Sequence, residues 1–151
     1  MAGTETFQAS CVSVNGRGIL ITGQPGSGKS SLALSLIDRG ATLVGDDAVI
    51  LSNIGGSLVA APHPNTENLF EIRNVGLVKM AAGEAPIALL LELAEDAPRF
   101  IDAADFRKLC GISIPSIKFW PGDAAAPIRA EWALTRYGLG ERTANPSHPE
   151  V

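Results

Sequence analysis

An α/β fold, a P-loop core with a mixed β-sheet, is predicted by three observations. The stretch Gly23-Gln24-Pro25-Gly26-Ser27-Gly28-Lys29-Ser30 fits G-x-x-x-x-G-K-[ST] and stands between an apolar strand-like run and a helical repeat. Short apolar runs recur along the chain, separated by turns rich in glycine, asparagine and aspartate. With 151 residues there is room for one core but hardly for two domains.

The elements follow in order. Residues 7–14 alternate enough for a strand, Asn15-Gly16-Arg17-Gly18 supplies turn residues, and Ile19-Leu20-Ile21-Thr22 reads as a second, fully buried strand. Leu32, Ala33, Leu36 and Ile37 repeat at helical spacing, and Arg39-Gly40 forms a basic last turn with a glycine stop, which predicts a helix over about 29–39. Strand-like runs at 42–44 and 48–51 flank Gly45-Asp46-Asp47, and Asn53-Ile54-Gly55-Gly56 turns the chain into a short strand at 57–60. Residues 61–68 carry two prolines around His63 and read as an exposed loop. Strands at 69–73 and 87–93, a loop at 96–99, a short helix near 102–109, a strand at 114–119 and a closing helix at 124–137 complete the domain, 1–137. Residues 138–151 have no apolar face after Gly140 to offset their ordering entropy and are expected to be a disordered tail.

Composition narrows the function. Hydrophobic residues at 46% and charged ones at 19% exclude a highly charged disordered chain. A net charge of −4 leaves no global positive field for a polyphosphate backbone, so nucleic acid is not an expected partner. No run approaches the roughly 20 apolar residues that span a bilayer, and the first residues lack the basic and apolar regions of a leader, so a cytoplasmic, soluble protein is expected. Cys11 and Cys110 lie in apolar runs without a CxxC spacing and are expected to be buried, reduced thiols. Two histidines far apart argue against a zinc site.

The glycine-rich loop carries the chemistry. Its glycines let backbone N–H groups converge on phosphate oxygens, Lys29 can reach the β and γ phosphates of ATP, and Ser30 can ligate Mg²⁺, with Ser31 beside it in the first helical turn. Asp46-Asp47 ends the next strand, where a carboxylate can hold Mg²⁺ or accept a proton. Both side chains enter one site only if the strand ends there, and a simple turn pair is the alternative. Glu71 and Arg73 share one strand face and, taken alone, read as a surface cross-strand charge device rather than a site. Arg99 in a loop and His63 between prolines read, by themselves, as solvated residues.

The segments GRGILITGQPGSGKS, RGATLVGDDAVIL and FEIRNVGLVKM together resemble the C-terminal catalytic domain of bacterial HPr kinase/phosphorylase over about residues 6–120. The chain looks like a short form lacking that family's N-terminal domain. The resemblance implies a P-loop NTPase core related to phosphoenolpyruvate carboxykinase. It further implies an ATP- and Mg²⁺-dependent serine kinase, in many members reversible, acting on an HPr-like phosphocarrier of the phosphotransferase system, and a homo-oligomer, usually a hexamer. Asp47 falls on the family's proton acceptor, Lys29 on its active lysine, and Ser30 and Glu71 on its metal positions, while Arg99 is the candidate for its catalytic arginine. Residues 70–79 cover a segment implicated in both directions, and residues 117–122 weakly resemble one tied to dephosphorylation. Gln8, twenty-one residues before Lys29, takes the place of a catalytic histidine; glutamine hydrogen-bonds but exchanges no proton near neutral pH. Asn74, Pro25 and Ser31 also depart from the usual pattern. Two readings compete with the carrier kinase: a nucleotide-binding sensor that acts through protein contacts, and a small-molecule kinase, for which no arginine cluster of a lid is visible.

Overall fold

A computed structural model describes residues 3–140. Eleven strands and two helices follow one another as β1 (Thr4–Phe7), β2 (Ser10–Val14), β3 (Arg17–Thr22), α1 (Lys29–Asp38), β4 (Thr42–Gly45), β5 (Val49–Ile54), β6 (Ser57–Pro62), β7 (Leu69–Ile72), β8 (Gly76–Lys79), β9 (Ala85–Leu93), β10 (Asp105–Leu109), β11 (Ile112–Phe119) and α2 (Ala126–Tyr137). Nine strands form one mixed sheet, and β7 and β8 pair as a separate ribbon. The expected α/β class and mixed sheet are thus present.

The centre of the sheet is β9. It runs parallel to β3, with Leu20 opposite Leu90, and parallel to β11, with Ile117 opposite Leu91. On the far side of β3 come β2 and then β4, each antiparallel to its neighbour. At its start β9 also pairs with β6, which leads through β5 to β1.

Strand alternation divides the interior in two. Ile19 and Ile21 face one core with Leu32, Leu36 and Leu134 from the helices, whereas Leu20 faces the other with Cys11, Val49, Leu51 and Ile114. Along β9 the alternation breaks: Ala85 and Ile87 belong to the second core, Ala88 and Leu89 both to the first, and Leu90 again to the second. The break coincides with a register shift between Gly18 and Ile19, the mark of a β-bulge. Gly18 is required there, because a Cβ would come within 2.7 Å of Ile87 Cδ1 and 3.1 Å of the Pro86 carbonyl. The two helices are locked at one end by a bidentate ion pair in which Arg39 donates to both carboxylate oxygens of the nearly buried Glu131, at 3.0 and 2.8 Å. Arg39 was read from sequence only as a basic last turn; its partner lies in α2.

Three expectations need correction. Residues 102–109 are not a helix; Asp105–Leu109 form β10, a hairpin partner of β11 through the turn Cys110-Gly111, both at positive φ (50° and 80°). Four of the five β10 side chains are exposed, so the usual alternation is missing and Phe106 and Leu109 mimic a helical spacing. Residues 7–14 are not one strand: the chain leaves β1 after Phe7 and re-enters the sheet at Ser10, between different neighbours. Cys110 is half-buried rather than buried; Cys11 is fully buried, and both are free thiols. Strand β8 had no counterpart in the sequence reading. Residues 141–151, most of the expected tail, lie outside the described residues. Among the described residues, no helix is long and apolar enough to cross a membrane.

Candidate functional site

Parallel strands β3, β9 and β11 end at one edge of the sheet, and open α/β sheets bind ligands outside the carboxyl ends of such strands. The glycine-rich loop 23–28 leaves β3 at this edge. Gly26 (φ 79°) and Gly28 (φ 104°) hold left-handed backbone that a side chain would strain, and they curl the loop into the start of α1. The first turn of a helix leaves backbone N–H groups without intrahelical partners, so Lys29, Ser30 and Ser31 begin α1 with donors suited to an anion. Lys29 Nζ lies over the loop and donates to the carbonyls of Gly23 (3.0 Å) and Gln24 (3.2 Å). The Ser27 amide closes the loop onto the Gln24 carbonyl at 3.0 Å. Ser27 Oγ is buried without a partner, packed against Gly23, where a Cβ would stand 2.5 Å from it.

The antiparallel strands β2 and β4 bring further residues to the same edge, β2 at its start and β4 at its end. A register shift between Cys11 and Val12 places Val44 as an extra residue in β4, and the strand stops at Gly45. Asp46 then turns back over the loop. Its Oδ1 accepts a hydrogen bond from Ser30 Oγ at 2.8 Å and a second from Ser10 Oγ at 2.9 Å. Gly45 makes the turn possible: a Cβ there would stand 2.6 Å from Val49 Cγ1 and 2.8 Å from the Ala48 carbonyl. Asp47 follows, exposed and at φ 73°, a left-handed conformation that aspartate tolerates better than most residues. The strand end that the sequence required for both aspartates to serve one site is therefore real.

Gln8 is exposed in the break between β1 and β2, two residues before Ser10, and so lies at this edge. On the opposite side of the loop Pro121, which follows β11, approaches Gly28. Arg129 of α2 steadies that segment: it donates to the Trp120 carbonyl at 2.6 Å and to Asp123 Oδ1 at 3.2 Å, with its guanidinium 4.7 Å from the centre of the Phe119 ring.

Other expected residues make no hydrogen bond to Ser30 or Asp46. Glu71 is exposed on the β7–β8 ribbon, opposite Leu77, and makes no hydrogen bond to Ser30 or Asp46. Its strand is anchored by the buried Phe70, and the ribbon joins the β4 edge through Gly83, whose amide donates to the Leu43 carbonyl at 3.0 Å. Glu71 and Arg73 are both exposed and form no ion pair with each other among the described residues. Arg99 is exposed in the segment after β9, and two residues later the Ile101 carbonyl accepts a hydrogen bond from Tyr137 of α2. The His63 ring takes part in its own turn, accepting from the Asn65 amide. Ser10 was missed, because a lone serine opening a strand has no motif; only the pairing of β2 with β4 reveals it.

As to a metal, the described residues hold no group of three or more histidine, cysteine or acidic side chains that could bind one unaided. Mg²⁺ ordinarily takes one or two carboxylates together with substrate phosphates, and the oxygen pair of Ser30 and Asp46 beside the loop fits that requirement.

The chain is similar to known proteins. A protein from Chlorobium limicola named HPr kinase/phosphorylase is 44% identical over 141 residues, 82% of this chain and 43% of the relative. One of the same name from Mycoplasma mycoides subsp. mycoides SC is 35% identical over 110 residues, 68% of this chain and 35% of the relative. The chain thus spans less than half the length of these curated relatives. The solved structure of the Hpr(Ser) kinase/phosphatase from Coxiella burnetii matches with a TM-score of 0.74 at 25% identity, over 84% of this chain and 91% of that one. The profile of the HPr serine kinase C-terminal domain matches residues 1–88, more than half of the chain. The family model, the relatives and the fold agree, and the chain belongs to the HPr serine kinase C-terminal domain family.

Proposed function

We propose that this chain is an ATP-dependent serine kinase acting on an HPr-like phosphocarrier, built on a P-loop NTPase core of the phosphoenolpyruvate carboxykinase kind. The observation that carries the reading is the hydrogen-bonded pair Ser30–Asp46 at the mouth of the glycine-rich loop, with Asp47 exposed beside it. The loop amides and Lys29 hold the ATP phosphates. Ser30 and Asp46 would hold Mg²⁺, which when bound would neutralise charge on the phosphate oxygens. Glu71, implied by the resemblance as a further metal position, makes no hydrogen bond to this pair, and the Ser30–Asp46 bond is what supports the metal assignment.

The γ-phosphoryl group of ATP passes in line to the carrier serine: the serine oxygen bonds to phosphorus as the bond to the β–γ bridging oxygen breaks, and ADP leaves. Asp47 accepts the serine proton as the hydroxyl attacks, and Lys29 and Arg99 offset negative charge on the transferring group. The exposure of Asp47 suits a substrate that is itself a folded protein, since its serine must be delivered to the surface. Assembly as a hexamer is expected from the family resemblance, and sedimentation of the purified chain tests it.

Gln8 favours a second reading, a nucleotide-binding sensor with impaired chemistry, because no proton can be exchanged at that position. One experiment separates the two: incubation with γ-labelled ATP, Mg²⁺ and HPr-like carriers, with a Gln8→His variant in parallel. Label on carrier serine with the wild type supports the kinase. Label with the variant alone makes Gln8 the disabling feature, and ATP binding without label in either supports the sensor.

A further inference from the structure

We infer that Ser10 is a positioning residue for the metal-facing carboxylate of Asp46, and through it for Ser30. The inference rests on the proposed Mg²⁺–nucleotide reading of this site. Ser10 is 0% exposed at the start of β2, and its hydroxyl donates at 2.9 Å to the same Asp46 oxygen that Ser30 engages at 2.8 Å. No solvent reaches Ser10 to replace that bond, and a buried hydroxyl is costly to leave unpaired.

The shared acceptor has a consequence for each group. With two donors on Oδ1, the carboxylate plane is held against rotation about its broad terminal torsion. Asp46 Oδ2 takes no hydrogen bond from another described residue, so it is the oxygen left to a cation or to a water in its shell. Ser30 spends its single proton on Oδ1, which turns its oxygen lone pairs away from Asp46. The Ser10 hydroxyl makes its hydrogen bond to Asp46 and none to the glycine-rich loop or Lys29, so its effect passes through Asp46. Backbone pairing fixes the relation: Ser10 stands opposite Ile21 on β3, directly before Thr22 and the loop, and the neighbouring Cys11 stands opposite Gly45, directly before Asp46.

Groups that orient a metal ligand from behind typically change metal affinity 10- to 100-fold when removed. The test measures ATP binding by titration calorimetry in EDTA and in Mg²⁺ for the full chain, Ser10→Ala and Ser10→Thr, with urea midpoints recorded for all three. In the wild type, Mg²⁺ tightens ATP binding. Ser10→Ala is expected to bind metal-free ATP within about twofold of the wild type while its Mg²⁺ enhancement falls about 10-fold or more. Ser10→Thr, which keeps the hydroxyl, is expected to restore most of that enhancement.

An unchanged enhancement in a folded Ser10→Ala overturns the inference, as does equal weakening with and without Mg²⁺, which would make Ser10 a purely structural residue. Wild type that binds ATP without any Mg²⁺ effect overturns the metal assignment and the inference with it. Wild type that binds ATP in neither condition overturns the nucleotide site itself.

Discussion

Asp47 combines an exposed carboxylate with a left-handed backbone, φ 73°, so a single substitution there perturbs chemistry and conformation together unless the replacement is chosen for both. Left-handed geometry costs an ordinary L-residue about 1–2 kcal/mol, aspartate and asparagine less, and glycine almost nothing. The side chain makes no hydrogen bond or ion pair with another described residue, so its removal adds no packing or pairing loss. The series Asn, Gly and Ala therefore separates the two effects. Asp47→Asn is expected to be isostable within about 0.5 kcal/mol, Asp47→Gly equal or slightly more stable, and Asp47→Ala less stable by about 1 kcal/mol.

Phosphoryl transfer should behave differently, because all three variants lack the proposed proton acceptor. A positioned general base contributes about 10²–10⁴-fold, so transfer to carrier serine should fall by that factor in every variant while ATP affinity stays near the wild-type value. Urea unfolding reads stability, calorimetry reads ATP binding, and labelled ATP with carrier reads transfer. Wild-type transfer by Asp47→Asn would remove Asp47 from the chemistry. Equal stability of the Ala and Asn variants would show that the left-handed turn does not persist in solution.

Further outcomes are expected for the loop, the ribbon and the two thiols. Gly28→Ala meets no atom nearer than Pro121 at 3.9 Å, so its cost is backbone strain at φ 104°, about 1–2 kcal/mol by urea unfolding together with loss of ATP binding; wild-type affinity would contradict the loop's role. Phe70→Ala empties a buried site that pins the β7–β8 ribbon to the core and should cost about 3–5 kcal/mol; an unchanged urea midpoint, with only ribbon amides losing exchange protection, would show the ribbon to be an independent unit. Burial pushes the Cys11 thiol well above the ordinary 9.0, and burial, then the Glu5 carboxylate, raises Cys110. At neutral pH a thiol reagent should label Cys110 in the native protein and Cys11 only after unfolding. Glu5→Gln should shift Cys110 labelling to lower pH. Because unfolded Cys11 releases its proton near 9 while the folded thiol retains it, stability should decline as pH rises above that value, and Cys11→Ala should flatten the decline. Rapid native labelling of Cys11 would contradict its burial.

The glycine-rich loop, the α1 helix behind it and the apolar central strands are visible in the sequence because each is local. Glycines at positive φ, a lysine and serine at a helix start and runs such as Ile19-Leu20-Ile21 declare themselves within a few residues, and their burial on both faces follows from having no polar alternation. The family was legible for the same reason, since its motifs lie in order along the chain. Elements with little burial were not: β10 and β8 expose nearly every side chain, and what makes them strands is a partner rather than a pattern. Tertiary pairing alone decided the rest. It brought β2 beside β4, so that the unremarkable Ser10 meets Asp46, and it stopped β4 at a bulge and a glycine, so that two adjacent aspartates escape the alternation of a strand. It joined Arg39 to Glu131 across two helices and put Glu71 on the β7–β8 ribbon, outside the nine-stranded sheet. Spacing along the chain carries local conformation and motif identity; which carboxylate a hydroxyl finds depends on sheet order, and sheet order is set by burying two cores at once.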